Sequence, residues 1–239
     1  LSVSVILPAH NAAAYIGEAV ASALAQTQSP AEVLVVDDGS TDGTAAAVRR
    51  IGDSRVRCLQ QANASQAVAR NRGVAETNTS FVAFLDADDR WQPDKLERQF
   101  PLFADAAVGC VYAGCRVVNA AGQPQGAPRC PAFRGRILAP LARNNFIACS
   151  RVVVRRSILV EHALAFRTGR QGVEDWDLWL RLAEVTHFEV VEAPLVLYRQ
   201  HVAGFSSRVD AMYAGYEITV HDADARIAQS PRVPEAERR

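Results

Sequence analysis

Over the first hundred positions, apolar residues fall into two alternating kinds of block. A short β-branched run at 3–7 (closed by Pro8) and short apolar runs at 32–36, 56–59 and 81–85 read as strands. Between them the apolar positions return at helical spacing. Ile16, Val20, Ala23, Leu24 and Thr27 share one face of a helix that Asn11 would cap and that stops before Ser29-Pro30. Residues 44–50 and about 67–75 give two further helices. Strands alternating with helices imply an α/β fold with a parallel, right-handed sheet.

Beyond Pro93 a helix at 95–103 leads to a strand near 108–113. The pattern then loosens, with a turn at Asn119-Ala120-Ala121-Gly122 and a loop over 126–136. A strand at 151–154, a helix at 157–161 and a helix opened by Gly172-Val173-Glu174-Asp175 follow, the last with Trp176, Trp179, Leu180 and Ala183 on one face. Two short strands, 188–191 and 195–198, flank Pro194. Residues 210–229 form a last helix and 230–239 a polar tail. No linker or internal repeat divides the chain, so residues 1–239 read as one domain.

Composition narrows the function classes. Twenty-six Lys plus Arg balance 26 Asp plus Glu, and a net charge of zero gives no general attraction for nucleic acid. No apolar run approaches the ~18 residues of a membrane span. No basic segment precedes an apolar one at the start, so no export signal is expected. Five cysteines without CxxC spacing read as reduced, mostly buried thiols of a cytoplasmic protein.

The candidate chemistry centres on Asp86-Ala87-Asp88-Asp89, where a buried strand runs into three carboxylates. Such a cluster repels itself unless it is partnered, and the usual partner is a hard divalent cation held by oxygens. Ligands of open α/β sheets bind at this end of the strands. The competing reading is an acidic turn in which Asp89 or Asp94 caps the next helix. Asp37-Asp38-Gly39-Ser40-Thr41-Asp42-Gly43 looks like a calcium loop, but its twelfth position from Asp38 is Arg49 where a glutamate is required, so that reading fails. Asp38 can instead accept a hydrogen bond from a base or ribose, while Asp42 caps the following helix. The loop after strand one, Pro8-Ala9-His10-Asn11, has no GxGxxG, which argues against NAD and FAD; His10 could stack on a base. Arg70, in Arg70-Asn71-Arg72-Gly73, offers a donor fork to a phosphate or base; for Arg72 the same fork and a solvated helix face are equal readings. Glu174-Asp175 opens a helix, where the macrodipole keeps a carboxylate ionised and suits either a general base or a cap.

In order, Ser4-Val5-Ile6-Leu7-Pro8-Ala9-His10-Asn11, Asp37-Asp38-Gly39-Ser40-Thr41-Asp42, Ala69-Arg70-Asn71-Arg72-Gly73, Asp86-Ala87-Asp88-Asp89 and Glu174-Asp175-Trp176-Asp177-Leu178-Trp179 resemble the motifs of the family 2 inverting glycosyltransferases. Tyr198-Arg199-Gln200-His201, with Ser206-Ser207 beyond, is similar to that family's C-terminal histidine segment. The resemblance spans residues 3–207. It implies the GT-A fold: a central, mostly parallel sheet flanked by helices, with a nucleotide-binding half over 1–105, an acceptor half over 106–208, and a C-terminal helix and tail over 209–239.

The activity so implied is metal-dependent, inverting transfer of a sugar from a nucleotide-diphosphate donor, expected to be a UDP-sugar. The acceptor would be a hydroxyl of a glycan or lipid-linked molecule in cell-surface polysaccharide synthesis. The resemblance assigns Pro8, His10 and Asp38 to the base pocket, Ala9 and Asn11 to the nucleotide-sugar site, and Arg70 to the nucleotide. Asp86 would lie beside the ribose and the metal's waters, and Ala87 would belong to the nucleotide-sugar site. Asp88 and His201 would hold Mn²⁺ or Mg²⁺, with His201 alternatively a phosphate contact, and Asp175 would be the general base. His10 stands where the family often has tyrosine, and Ser65 where it often has glycine. Further expectations are no nucleic-acid partner, a peripheral contact with the inner face of the membrane, and a homodimer through helix 210–229. Trp91 and Trp176 could stack on sugar, with core the expectation for Trp176. Three rivals stand against this reading. A nucleotidyltransferase wants a glycine-rich basic loop after strand one, and a phosphohydrolase wants its aspartates after the first strand. The third is a non-catalytic binding protein on the same fold.

Overall fold

The computed structural model describes residues 1–202 and 209–229. Eight strands form one sheet: β1 (Val3–Ala9), β2 (Glu32–Asp38), β3 (Val56–Gln61), β4 (Phe81–Phe84), β5 (Arg90–Trp91), β6 (Val108–Val118), β7 (Val152–Arg155) and β8 (His187–Arg199). Their order across the sheet is β3-β2-β1-β4-β7-β6-β8-β5. The first four run parallel; β7 is antiparallel to both β4 and β6, and β5 is antiparallel to β8. The sheet is therefore mostly parallel, and its parallel half ends on the loops that carry the acidic motifs.

The helices are α1 (Ile16–Leu24), α2 (Thr44–Arg49), α3 (Gln66–Ala75), α4 (Lys95–Gln99), α5 (Leu138–Arg143), α6 (Arg156–Glu161), α7 (Glu174–Val185) and α8 (Val209–Gln229). Alternation along the strands divides the core in two. Val3, Val5, Leu7, Phe81 and Ala83 pack with α1 and α4 on one face. Ile6, Val82, Phe84 and Tyr112 pack with α5 and α7 on the other, where Trp176 and Trp179 are buried. In α1 the buried set is Ile16, Ala19, Val20 and Ala23, close to the face read from sequence. All five cysteines are free thiols and three are buried. No helix among the described residues is long and apolar enough to cross a membrane.

Several elements differ from the sequence reading. β2 runs on through Asp37 and Asp38, because backbone pairing continues to Ala9 on β1 and Gln61 on β3. The two short strands around Pro194 are one 13-residue strand, β8. Its pairing with β6 shifts register around Gly114, which sits opposite Pro194, so the proline falls at an irregularity that tolerates its missing N–H. A Cβ at Gly114 would come within 2.6 Å of the Ala193 carbonyl oxygen, so only glycine fits there. β5 and α5 carry no sequence pattern strong enough to announce them. Asn11 does not cap α1, which begins at Ile16; it adopts a left-handed conformation, φ 50°, in the loop before it. Trp91, like Trp176, is core: it is 4% exposed and its indole N–H donates to the Ser150 carbonyl. Ser206, Ser207 and the tail 230–239 lie outside the described residues.

Candidate active site

A cleft of about 660 Å³ opens at the carboxyl ends of β1, β2 and β4. Pro8, Ala9, His10, Asn11, Asp38, Ala87, Asp88 and His201 line it, together with residues 63–67 and 167–172 and Glu174. Eight of the sequence-derived candidates thus share one cavity.

Its β1 side is stitched to the loop after β2. The Asn11 amide N–H donates to Ser40 Oγ at 2.9 Å, and Asn11 Oδ1 accepts from the Thr41 N–H at 2.9 Å. Asp42 accepts from the N–H groups of Ala13 (3.1 Å) and Thr44 (2.9 Å), satisfying a donor at the start of α2. The His10 ring edge lies 2.9 Å from the Asp38 carbonyl oxygen and 3.0 Å from Asn63 Nδ2. The Asp38 carboxylate accepts from the N–H groups of Ala64 and Ser65, each at 2.9 Å, and from Gln61 Nε2 at 2.7 Å. A carboxylate has about four acceptor positions. Asp38 therefore spends most of its capacity shaping the 61–65 loop, and one position remains for a ligand. That loop is strained: Ser65 has φ 132°, a region that favours glycine.

The acidic end is organised by Arg70, which rises from α3 and is buried. Its Nη2 lies 2.6 Å from Asp86 Oδ1 and its Nη1 lies 2.8 Å from Glu174 Oε1. Arg70, Asp86 and Asp175 are not among the residues lining the cleft; Arg70 and Asp86 stand behind it, and Arg70 clamps Asp86 to the start of α7. Asp88 does reach the cavity, with Oδ2 2.9 Å from His201 Nε2. Burial, and then the neighbouring Asp86 charge, push the Asp88 carboxyl above the usual range, while His201 opposes the shift. The third carboxylate, Asp89, is neither ligand nor cap. It is buried, accepts from Ser150 Oγ at 2.5 Å and from the Arg199 amide N–H at 2.8 Å, and so latches the end of β4 to the end of β8. Asp94 precedes α4 without a side-chain cap bond. Arg199 completes the latch by donating from Nε to the Asp88 carbonyl oxygen at 2.8 Å and from Nη2 to Glu18 at 2.7 Å. His201, two residues on, packs its ring 4.9 Å from that of Tyr15.

Asp175 is the second residue of α7. Its Oδ1 accepts from the Trp176 N–H at 2.7 Å and from Asn145 Nδ2 at 3.3 Å. Burial first, and then the adjacent Glu174 charge, push its carboxyl up to about 7; Arg70 pulls the other way. The sequence argument that the helix dipole would hold this group ionised is corrected here, because desolvation outweighs the dipole. Asn145 is the partner that sequence reasoning missed, while Glu174 was read without its tie to Arg70. Glu174 carried a signal in its position beside Asp175; Asn145, thirty residues away in a region without periodicity, carried none. Arg72, open in sequence between a donor fork and a solvated face, donates to the Gln60 carbonyl at 2.9 Å.

Asp88 and His201, with Asp86 behind them, make a donor set of carboxylate oxygen and imidazole nitrogen. Among the described residues no group of three His, Cys, Asp or Glu is placed to hold a metal. Two protein donors nonetheless suit Mg²⁺ or Mn²⁺ at a phosphate site, since Mg²⁺ commonly takes one or two carboxylates and completes its shell with waters and substrate phosphates. The residues fit such an ion.

A family model described as glycosyl transferase family 2 matches residues 4–162. A UDP-Glc:alpha-D-GlcNAc-diphosphoundecaprenol beta-1,3-glucosyltransferase, WfgD of Escherichia coli, is 30% identical over 215 residues, covering 86% of this chain and 79% of that protein. A putative teichuronic acid biosynthesis glycosyltransferase, TuaG of Bacillus subtilis, is 31% identical over 181 residues, covering 73% and 70%. The crystal structure of S. aureus TarS 1-349 in complex with UDP-GlcNAc superposes with a TM-score of 0.77 at 20% identity, over 100% of this chain and 69% of that one, which shows a shared fold.

Proposed function

The chain belongs to glycosyl transferase family 2, and from that premise we propose that it moves a sugar, with inversion, from a UDP-sugar to a hydroxyl of a lipid-linked glycan in polysaccharide synthesis. One observation carries the reading. The buried guanidinium of Arg70 ties Asp86, beside the Asp88–His201 pair, to Glu174, beside Asp175. A donor-side carboxylate and a base-side carboxylate are thereby held in one rigid unit, as a transfer between two bound substrates requires.

The cleft end formed by Pro8, Ala9, His10, Asn11 and Asp38 takes the nucleotide base, and Ala87 faces the ribose and sugar. Uridine is favoured because the E. coli relative is named for UDP-Glc and the TarS structure holds UDP-GlcNAc. Asp88 and His201 would hold Mn²⁺ or Mg²⁺, which supplies positive charge to the leaving diphosphate when bound. Asp175 accepts the acceptor hydroxyl's proton as that oxygen attacks the anomeric carbon from the face opposite the diphosphate. A carboxyl poised near 7 is well matched to that task at neutral pH. Asn145 donates to Asp175 Oδ1 and fixes the orientation of the carboxylate. No covalent sugar–enzyme intermediate is needed. Residues 1–105 serve the donor, 106–208 the acceptor, and the protein works at the cytoplasmic face of the membrane.

Calorimetric titration of UDP, GDP and dTDP nucleotides, with and without Mn²⁺, tests the donor site. UDP binding that needs Mn²⁺ and is lost in Asp88→Ala is the expected result. If no nucleotide binds under either condition, the transferase reading falls and a non-catalytic glycan-binding role replaces it.

A further inference from the structure

Residues 167–172 line the cleft and run directly into Glu174 and Asp175. They form no helix or strand, and the last of them, Gly172, holds φ 81°, a left-handed conformation that suits glycine. Such a loop takes its shape from what packs on it, and here that is α8. Gly215, Thr219, Asp222, Ala223 and Arg226 recur at three- and four-residue spacing and so share one face of that helix. Asp222 Oδ2 lies 2.5 Å from Arg170 Nη2, and Thr219 Oγ1 accepts from Arg170 Nη1 at 3.4 Å. Gly215 meets the loop backbone closely: a Cβ there would come within 3.2 Å of the Arg170 carbonyl carbon and 3.3 Å of the Gln171 oxygen.

From Arg170 the hold passes inward. The Arg170 carbonyl accepts from the Val173 N–H at 3.0 Å, and the Gly172 N–H donates to Glu174 Oε2 at 2.7 Å. The other oxygen of Glu174 accepts from Arg70, which also grips Asp86. We propose that Arg170 and Asp222 are positioning residues: through them α8 holds loop 167–172, and with it the carboxylates that open α7, in the geometry that turnover needs. The catalytic consequence rests on the transferase reading; the grip on the loop does not.

Hydrogen exchange on the full chain reads the grip without any turnover. In Asp222→Ala the amides of residues 170–173 should exchange on the order of tenfold faster, while those of β1 and β4 keep their wild-type rates. Release of UDP from UDP-glucose and UDP-N-acetylglucosamine in Mn²⁺, with water as the acceptor, reads the consequence. There Asp222→Ala should lower kcat roughly ten- to a hundredfold with KM kept, the scale of a misplacement of about 1 Å. Asp222→Glu retains the carboxylate and should recover most of the loss. The control is Arg226→Gln, which breaks another ion pair of α8, to Glu184 near the far end of α7. It should keep wild-type kcat and wild-type exchange over 170–173. Melting temperatures establish that each variant folds; if Asp222→Ala melts below the assay temperature, Asp222→Asn, which loses only the charge, replaces it. Unchanged exchange over 170–173, an unchanged kcat, or an equal loss in the control would each overturn the proposal. A wild-type chain that binds no UDP removes the transferase reading, and the positioning role falls with it; a wild type that turns over beside an Asp222→Ala of equal kcat removes the positioning role alone.

Discussion

Nε2 of His201 lies 2.9 Å from Oδ2 of Asp88, across 113 positions of sequence. The pair brings an imidazole from beyond the last strand to a carboxylate at the end of the fourth. Removing the imidazole in His201→Ala should weaken Mn²⁺-dependent UDP binding by roughly a hundredfold or more, since even outer-shell partners of a metal are worth 10–100-fold. Titration in Mn²⁺ reads this directly, and an unchanged affinity would remove His201 from the donor site.

As the proposed general base, Asp175 would work only as a carboxylate, and its carboxyl is pushed up to about 7. kcat/KM should therefore rise as pH increases through about 7 and level off above it. Asp175→Asn should lower kcat by roughly 10²–10⁴-fold while UDP affinity is kept. Stability carries the opposite sign. A raised carboxyl contributes stability that is complete below its unfolded value, near 4, and is lost as pH climbs through about 7. Thermal melts should accordingly show Asp175→Asn gaining on wild type as pH rises; parallel curves would contradict the assignment.

The like charge of Glu174 is the second cause of that shift, and Arg70 opposes it. Glu174→Gln removes the repulsion and leaves Arg70 with one carboxylate fewer. Both changes favour ionised Asp175. The acid limb of the pH–rate profile should move to lower pH, and a limb that stays or moves upward would refute this electrostatic account.

Lys95 is fully buried, has no hydrogen-bond acceptor for Nζ among the described residues, and lies 3.9 Å from the Trp91 ring centroid. Burial pushes its ammonium well below the ordinary lysine value, so the unfolded chain binds the proton more readily. The resulting loss of stability grows as pH falls below that ordinary value. Lys95→Met should stabilise the fold by about 2 kcal/mol, the scale of an unsatisfied buried donor, with the larger gain at lower pH. Denaturant melts at two pH values would expose a wrong sign.

Ser65 holds φ 132° while its hydroxyl accepts weakly, at 3.4 Å, from the Val68 N–H at the start of α3. Ser65→Gly forfeits a cap worth a few tenths of a kcal/mol against glycine, and relieves strain of order 1–3 kcal/mol. A net gain of about 1 kcal/mol is expected in urea melts. A loss would mean that the hydroxyl matters more than the backbone.

The parallel half of the fold and most of the site were legible because period and punctuation agree there. Val3 to Leu7 and Phe81 to Leu85 are short apolar runs that end on polar loops, and the acidic residues follow directly. The antiparallel half was harder to read. β8 looked like two strands because Pro194 ordinarily breaks one, and only the irregularity at Gly114 on its neighbour shows how the proline is accommodated. Arg70 looked like a ligand fork because sequence cannot reveal that both of its carboxylate partners are internal. Asp89 looked like a cap for the same reason: its partners, Ser150 and the Arg199 amide, lie 61 and 110 positions away.

The long reach from Asp88 to His201 also sets an order of events during folding. Closing so large a loop loses chain entropy, which the long pairing of β8 with β6 offsets in the folded state. Arg70 waits in the same way for Glu174, 104 residues downstream. A nascent chain that has emerged only as far as β7 therefore displays the acidic turn without its imidazole, and the arginine without its second carboxylate. The Asp88–His201 pair, and with it the proposed ion site, can form only once synthesis has passed residue 201.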